Sequence, residues 1–313
     1  MPLVKAGTQQ KSEQNFTVII YGQPGIGKST LAESAPDPIV IDFDGGMHRV
    51  NAIHRGDYIA VTRYEDVLTD IQIPEVQAAK TIIIDTGGAM IGFLKDYVMR
   101  THSDARTKSG DFNSLKGFGY VKQEFESFTS RIRDIMHKNV VVIFHSNEAT
   151  AKDGSIVQRL QCEGSSKNIV WNACDFGGYM QFVDGKRTIS FRGTDEYFAK
   201  GCHGITGTYT IPELGENDKN DFLTKLFETA RANIDAENTA SAGKRDAYEQ
   251  IMETVRAIVD AVDDAESATA AATELGSMEH ALTSKTEARA MLAKRCSELG
   301  LKWTGNKYER GAE

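Results

Sequence analysis

Short apolar runs alternate with amphipathic stretches along the first half of the chain, and this alternation predicts strands and helices in turn. Five apolar runs rich in β-branched residues predict strands: residues 16–21, 39–43, 58–62, 81–85 and 139–145. Each run is apolar almost without interruption, which is typical of a strand covered on both faces. The pattern therefore predicts an α/β fold in which a mostly parallel sheet lies between helices.

The segments between these strands have helical periodicity. Residues 65–80 predict a helix interrupted at Pro74, and residues 89–100 predict an amphipathic helix. We expect one buried face in the next helix, because six apolar residues recur there at spacings of three and four. These residues are Phe118, Val121, Phe125, Phe128, Ile132 and Ile135.

Two polar stretches and a hairpin complete the predicted α/β domain. Residues 101–116 and 146–168 are polar and predict loops, of which the first is expected to be mobile. Residues 178–191 predict a β-hairpin that turns at Asp184-Gly185, and such hairpins commonly add antiparallel strands at the edge of a parallel sheet. Apolar residues within 222–227 predict a closing helix.

The chain is long enough for about two domains. Residues 1–15 are polar and expected to be flexible, whereas residues 16–232 hold the predicted α/β domain. Residues 233–243 are small and polar, which predicts a linker. Residues 244–313 are predicted to form a small acidic helical appendage, because apolar residues from Tyr248 to Val262 step by four and three.

A glycine-rich turn joins the first predicted strand to a helix. Its sequence, GQPGIGKST, matches G-x-x-x-x-G-K-[ST], the pattern of a phosphate-binding loop. Glycine lets the backbone curl so that several N–H groups point at phosphate oxygens, and the helix N-terminus adds a positive dipole end. The predicted nucleotide-binding residues are Gly22, Gln23, Pro24, Gly25, Ile26, Gly27, Lys28, Ser29 and Thr30.

Within this loop, two side chains have distinct expected roles. Lys28 is expected to reach the β and γ phosphates, and the Ser29 hydroxyl is expected to hold Mg²⁺. The sequence lacks the guanine-reading pattern N-K-x-D, which favours ATP over GTP. The loop therefore predicts a site for ATP and Mg²⁺, although it does not specify a reaction.

Two aspartates at predicted strand ends are candidate catalytic residues. Asp85 ends the strand TIIID and is placed to order the Mg²⁺ shell. Thr86 follows it, which disfavours the AAA+ arrangement, where the catalytic glutamate comes directly after that aspartate. The water-activating carboxylate is then expected to be Asp44, at the end of the second strand. Alternatively, Asp44 only caps the turn made with Gly45 and Gly46.

The net charge of −8 is unevenly distributed. Residues 1–212 carry 23 Lys and Arg against 24 Asp and Glu, whereas residues 213–313 carry 13 against 20. A globally basic nucleic-acid binder is therefore excluded, and any DNA contact must be a local patch. The acidic C-terminal third is expected to be solvated helix surface, with a partner-docking tail or a mimic of nucleic acid as alternatives.

Other features of the composition bear on cellular location. No apolar stretch approaches the roughly 18 residues needed to span a membrane. The first 15 residues lack the apolar core of a signal peptide, so we expect a cytoplasmic location. The chain has four cysteines without metal-ligand spacing, and they are expected to be reduced thiols.

Four motifs together resemble the core of RecA-type ATPases. They are GQPGIGKST, VIDFDGGMHRV, TIIIDTGGAM and VVVIFHSNEA, in that order. The chain is most similar to phage-encoded RecA-like nucleotide-binding proteins associated with single-strand annealing and recombination, over roughly residues 15–230. The resemblance implies an ATPase that acts on single-stranded DNA, is stimulated by it, and works as a ring or filament in the cytoplasm of a bacterial host.

The resemblance also implies roles for individual residues, so that the candidate catalytic set becomes Lys28, Asp44, Asp85 and His145. His145 occupies the place of the polar sensor at a strand end, although a histidine with only a structural role is the alternative. Asp44 stands where the family usually has glutamate, and its shorter side chain bears on the rate of hydrolysis. A neighbouring subunit would supply a cation from Arg192 or Lys200, unless both are solvated surface charges.

The family binds single-stranded DNA through two loops that correspond to residues 101–116 and 146–168. The basic residues in them are Arg106, Lys108, Lys116, Lys152, Arg159 and Lys167, diluted by Asp104, Asp111, Asp153 and Glu163. Trp171 could stack on a base, but we expect it in the core. The C-terminal region could recruit a single-strand-binding protein.

Two other functions remain open from the sequence. A nucleotide or small-molecule kinase would need an arginine-rich lid between the later strands, and residues 101–116 contain only Arg106. A non-catalytic, nucleotide-gated adaptor or loader in phage replication would leave Asp44 inert and use the acidic helices to recruit partners.

Overall fold

The computed structural model describes residues 14–151, 153–162, 170–171 and 174–310. The chain divides into two compact units, and the boundary between them lies between Asn233 and Ile234. Of the segment 1–15, which is predicted to be flexible, residues 1–13 lie outside the described residues.

The first unit contains one large sheet with the order β3-β2-β4-β5-β1-β7-β8-β9, and β6 pairs with β5 outside that row. The six strands from β3 to β7 in this row are parallel, and β8 and β9 are antiparallel additions at one edge. The predicted fold class is confirmed. The strands are β1 (Thr17–Gly22), β2 (Pro38–Asp42), β3 (Tyr58–Ala60), β4 (Thr81–Asp85), β5 (Asn139–Thr150), β6 (Ile156–Leu160), β7 (Phe176–Val183), β8 (Lys186–Ser190) and β9 (Thr208–Thr210).

The helices follow the predicted periodicity closely. They are α1 (Lys28–Ala32), α2 (Tyr64–Asp70), α3 (Pro74–Ala78), α4 (Gly87–Thr101), α5 (Ser114–Ser130), α6 (Phe222–Asp260), α7 (Ala265–Ser277) and α8 (Ser284–Glu298). Pro74 explains the interruption between α2 and α3, because it occupies the first turn of α3, where its missing N–H costs no helical hydrogen bond.

The central strands bring the predicted site residues to one edge of the sheet. Their apolar side chains, among them Ile19, Ile84 and Val142, are almost fully buried and hold the strands in register. Gly22 at the end of β1 pairs with His145 of β5, and Asp42 at the end of β2 pairs with Asp85 of β4. The carboxyl ends of β1, β2 and β4 and the middle of β5 therefore meet beside the phosphate loop.

The prediction of a polar loop at residues 146–168 is wrong for the part that the structure describes up to residue 160. There β5 continues beyond the sheet to Thr150 and pairs antiparallel with β6. Only Val157 and Leu160 of β6 are buried, so the sequence shows no apolar run. Backbone hydrogen bonds, which need no apolar side chains, define this hairpin.

The predicted buried face of α5 is correct until its last position. Val121, Phe125, Phe128 and Ile132 are buried, and Phe118 is half-buried, but Ile135 is 73% exposed. The helix ends in a π-helical turn, Arg131–Ile135, which inserts an extra residue and rotates the following side chains. Met136 consequently packs against the core in place of Ile135.

The segment predicted as a linker, residues 233–243, is helical and lies within α6. The segment has three alanines and no proline, so its composition favours a helix despite its polarity. In the second unit, α6, α7 and α8 bury Val255, Val259, Ala268 and Leu292 in a separate core. A β-hairpin that the sequence analysis missed, β10 (Leu301–Trp303) and β11 (Tyr308–Arg310), follows α8. No helix within the described ranges is long and apolar enough to cross a membrane.

Glu33, directly after α1, is buried, and its shifted pKa makes the free energy of unfolding depend on pH. Glu33 is only 7% exposed, and its Oε1 accepts a hydrogen bond from the Gly56 N–H at 3.1 Å. Within the described residues, its Oε2 has no hydrogen-bond partner. Burial raises the pKa of Glu33 to about 7, and the Asp85 carboxylate adds to this rise. Folding therefore favours the protonated carboxyl group.

We expect Glu33→Gln to stabilise the protein at pH 8 by up to about 3 kcal/mol, because the folded pKa lies above that of the unfolded chain. The native protein should lose stability as the pH rises from about 4.5 to about 7, and the variant should lose less. Urea unfolding at pH 4.5 and pH 8 measures the difference. Equal effects of the substitution at both pH values would show that Glu33 ionises without cost.

Candidate functional site

The phosphate loop joins the carboxyl end of β1 to α1. Gly25 and Gly27 have φ angles of 80° and 93°, in the left-handed region that other residues rarely adopt. Ile26 anchors the loop because its side chain is buried. The following helix has only five residues, so backbone N–H groups and Lys28, rather than a long helix dipole, supply the positive potential.

The Lys28 side chain is buried, and it folds back toward the start of the phosphate loop. Its ammonium group donates hydrogen bonds to the carbonyl oxygens of Gly22 at 3.0 Å and Gln23 at 2.8 Å. Burial lowers the pKa of Lys28 to about 8, although the carboxylates of Asp85 and Asp44 oppose this shift. Lys28 is therefore a desolvated cation held by neutral carbonyl groups, and a phosphate would be a stronger partner.

His145 lies directly against this lysine. Its Nδ1 is 3.3 Å from the Lys28 Nζ, and because an ammonium group can only donate, Nδ1 is the acceptor. Burial and the charge of Lys28 lower the pKa of His145, which keeps the imidazole neutral near pH 7. A group that replaces the histidine as the partner of Lys28 therefore also changes the environment of β5 at His145.

Ser29 and Asp85 bring together two oxygen donors that could hold a metal ion. The Ser29 hydroxyl donates to Asp85 Oδ2 at 2.6 Å. Burial raises the pKa of Asp85, and the carboxylates of Asp42 and Asp44 raise it further. No group of three or more His, Cys, Asp and Glu side chains among the described residues is arranged to hold a metal alone. The hydroxyl and carboxylate of Ser29 and Asp85 suit Mg²⁺, which takes one or two protein oxygens and completes its shell with phosphates and water.

Asp42 and Asp44 have different roles at the end of β2. The Asp42 carboxylate accepts hydrogen bonds from the backbone N–H groups of Gly46 and Met47, each at 3.0 Å. Asp42, and not Asp44, therefore caps the turn. The alternative that Asp44 only caps this turn is not supported by its contacts. The Asp44 carboxylate instead forms an ion pair with Arg49 at 2.6 Å.

An apolar pocket of about 310 Å³ adjoins the phosphate loop on the side of β8 and β9. Its volume falls in the range of small-molecule sites, about 300 to 1,000 Å³. The Arg187 guanidinium packs against the loop, 3.3 Å from where a Cβ on Gly27 would lie. The lining includes Gly27, Leu31, Tyr209, Ile211, Pro212 and Leu226.

The sequence matches the model of a family described as the AAA domain over residues 14–203, which is more than half of the chain. The chain belongs to this AAA-domain family. The first unit is therefore a P-loop ATPase domain of the AAA type, and membership implies that the phosphate loop binds a nucleotide.

The chain was also compared with solved structures and with curated proteins. The flagellar accessory protein FlaH from Methanocaldococcus jannaschii is structurally similar, with a TM-score of 0.35 and 11% sequence identity over 64% of this chain and 91% of that chain. That likeness is too distant to carry the fold assignment. No curated protein matches the sequence.

The AAA domain departs from the AAA+ arrangement at the residue after Asp85. Thr86 stands there, and its Oγ1 accepts a hydrogen bond from the Ala89 N–H at 3.1 Å, which caps α4. The chain therefore lacks the AAA+ glutamate at this position while belonging to the AAA-domain family. A catalytic carboxylate, if the AAA domain has one, must come from another strand end.

The remaining candidates of the AAA domain are distributed as follows. Arg192 is exposed, whereas the Lys200 ammonium donates to the Cys174 carbonyl oxygen. Of these two candidate cations, Arg192 is the one with an exposed side chain. Trp171 packs edge-on against Tyr21 and Phe198, which agrees with the expectation of a core position.

The sequence pattern did not identify three residues that lie at the AAA-domain site: Asp42, Arg49 and Arg187. Asp42 is two residues before Asp44 and so looked like part of the strand. Arg49 lies in the motif VIDFDGGMHRV, where its spacing from Asp44 is the one signal that could have suggested an ion pair. Arg187 reaches Gly27 only through the pairing of β8 with β7, which sequence spacing does not reveal.

Proposed function

We propose that the protein binds and hydrolyses ATP and acts on single-stranded DNA in phage recombination or annealing. The observation that carries the proposal is the convergence of Lys28, Ser29, Asp85 and His145 on one phosphate loop. A triphosphate would meet a buried ammonium group, a metal-binding hydroxyl and carboxylate, and a neutral sensor in one place.

Each residue has a defined part in the proposed hydrolysis. Lys28 leaves the carbonyls of Gly22 and Gln23 and contacts the β and γ phosphates. The chemistry that Mg²⁺ supplies when bound by Ser29 and Asp85 is neutralisation of phosphate charge. Asp44 accepts a proton from water as the water oxygen bonds to the γ phosphorus and the bond to the β–γ bridging oxygen breaks.

The pocket beside the loop would take the nucleoside. Its apolar wall suits a purine base, and the Arg187 Nε, buried without a hydrogen-bond partner in the described part of the chain, could meet the α phosphate. Few uncommitted side chains could read a base edge, since Asn220 donates to the Thr30 carbonyl oxygen and Asp221 pairs with Lys225.

If this pocket holds the nucleoside, filling it should separate nucleoside binding from phosphate binding. Ile211→Trp, at a buried wall position, should weaken ATP binding by at least about tenfold, because the indole occupies the space of the base. Binding of inorganic triphosphate should change little. Thr210→Trp is the matched control, since Thr210 is exposed on β9. Isothermal titration measures both ligands, and an equal loss for both would place the base elsewhere.

Coupling of the nucleotide to DNA is supported by the course of β5. The strand that holds His145 against Lys28 continues directly into the β5–β6 hairpin, and the Gln161 N–H donates to the His145 carbonyl oxygen at 2.7 Å. This hairpin falls in the segment that the RecA resemblance assigns to DNA. A change of partner at Lys28 would therefore reach a DNA-binding segment through one strand.

The basic residues that would contact DNA lie in two separate segments, residues 101–116 and 146–168. Arg159 lies on β6, whereas Lys152 and Lys167 fall outside the described residues. In the other segment, Lys116 pairs with Asp104 at 3.4 Å, and Lys108 is exposed. That segment includes a short 3₁₀ turn, Ser103–Ala105, so it has local structure as well as loop character.

The protein would assemble with copies of itself and with a second protein. A ring or filament of identical subunits would allow Arg192 to reach the nucleotide of a neighbour, and the acidic second unit would recruit a protein such as a single-strand-binding protein. Analytical ultracentrifugation with and without a non-hydrolysable ATP analogue would detect nucleotide-dependent assembly.

One experiment separates the three candidate functions. ATP turnover is measured with and without single-stranded DNA, and with small-molecule phosphate acceptors. Stimulation by DNA supports the proposal, phosphate transfer to an acceptor supports a kinase, and tight binding without turnover supports a nucleotide-gated adaptor.

A further inference from the structure

Arg49 folds back over the turn that follows β2. Its Nη2 donates to Asp44 Oδ2 at 2.6 Å. A Cβ on Gly46 would lie 2.4 Å from that Nη2, so the glycine is needed for the guanidinium to take this position. The turn is held by the hydrogen bonds that Asp42 accepts and by the Arg49 N–H, which donates to the Gly46 carbonyl oxygen at 2.9 Å. The arginine is thus directed by a defined turn.

The ion pair lies at the edge of the sheet that carries the metal-binding residues. The Asp44 N–H donates to the Asp85 carbonyl oxygen at 3.1 Å, and the Asp85 carboxylate is 2.6 Å from the Ser29 hydroxyl. Arg49 is therefore connected to the phosphate loop through only two residues. Both belong to the proposed hydrolytic site.

The charges of the pair also act on the groups inside the site. The Arg49 cation is among the causes that lower the pKa of His145, after burial and Lys28, and Asp44 opposes it. Burial lowers the pKa of Lys28, and the Asp44 carboxylate, after that of Asp85, opposes this shift. Asp44 therefore acts on both His145 and Lys28, and Arg49 acts on His145, so the pair lies near the groups that a terminal phosphate would meet.

The pair can exchange partners at little cost. The Arg49 side chain is 59% exposed and that of Asp44 is 35% exposed, and ion pairs so open to water contribute little to stability. A guanidinium bound to a phosphate by two parallel hydrogen bonds is a stronger and more specific contact. A γ phosphate with two charges can therefore displace a single carboxylate.

We propose that Arg49 is a sensor of the terminal phosphate within the same subunit, which leaves Asp44 for the γ phosphate when ATP binds. Asp44 is thereby released to face water only when a triphosphate is present. No bond to phosphorus forms or breaks at Arg49, and it transfers no proton. The inference rests on the proposed function, because it requires the phosphate loop to bind a nucleotide.

The test compares the affinities for a non-hydrolysable ATP analogue and for ADP by isothermal titration of the full chain with Mg²⁺. Arg49→Ala should weaken binding of the analogue by about 10- to 100-fold and leave ADP binding unchanged. Unchanged ADP binding also shows that the variant is folded. Arg55→Ala is the matched control, because it removes an arginine of the same loop that is not paired with Asp44. It should leave the ratio of the two affinities unchanged.

A second variant tests the exchange itself. Asp44→Ala frees Arg49 from its partner, so it should tighten binding of the analogue several-fold, and this gain should vanish in the double variant with Arg49→Ala. An unchanged affinity ratio in Arg49→Ala, or equal losses for both nucleotides, would overturn the proposal. If Lys28→Ala still abolished binding, the proposed function would survive that result.

Discussion

Lys28→Ala should lower the affinity for ATP by between about 30-fold and several thousand-fold, which corresponds to about 2 to 5 kcal/mol. The ammonium group is buried, and its partners are the carbonyl oxygens of Gly22 and Gln23 and the imidazole of His145. A triphosphate brought to the loop without this ammonium group would lose the buried positive charge that faces its β and γ phosphates. Isothermal titration with ATP and Mg²⁺ measures the loss.

The control for this prediction is Lys80→Ala. Lys80 is exposed and pairs with Asp37, so its removal changes the net charge equally without touching the phosphate loop. ATP affinity should be unchanged in the control. Undiminished affinity in Lys28→Ala would mean that the glycine-rich turn does not hold phosphates.

Asp85→Asn should lower ATP turnover by about 100-fold while leaving metal-free nucleotide binding nearly intact. The substitution keeps the shape of the side chain and its contact with Ser29, but it removes the charge that would hold Mg²⁺. The Asp85 backbone carbonyl, which accepts from the N–H groups of Phe43 and Asp44, is unaffected. Turnover measured against Mg²⁺ concentration should therefore shift to much higher concentrations of the metal.

Asp42→Asn provides the contrast. Asp42 is buried and uses both carboxylate oxygens for backbone N–H groups, and asparagine offers only one acceptor oxygen. Asp42→Asn should lower the free energy of unfolding without shifting the dependence on Mg²⁺. An identical Mg²⁺ dependence in native protein and Asp85→Asn would remove Asp85 from the metal site.

Much of the fold could be predicted because apolar runs report directly on buried strands. The run in β1 is continuous, and both its partners in the sheet, β5 and β7, bury their own apolar residues. The β5–β6 hairpin escaped prediction because its stability comes from backbone pairing. Ile135 escaped because a π-helical turn changes the helical period locally, and the spacing of apolar residues assumes a constant period.

The site could be predicted in part for a similar reason. Lys28, Ser29 and Asp85 lie at fixed spacings from secondary structure, so their convergence follows from the topology of a parallel sheet. Arg49 and Arg187 join the site only because long side chains fold back over glycine. Such contacts depend on side-chain conformation and strand pairing, which spacing along the chain does not encode.

The most direct test of the account is the release of inorganic phosphate from ATP by the purified full chain in the presence of Mg²⁺. We expect ADP and phosphate to form in equal amounts over many turnovers, and we expect Lys28→Ala and removal of Mg²⁺ each to stop the reaction. ATP that binds tightly yet stays intact through prolonged incubation, with and without single-stranded DNA, would contradict the account.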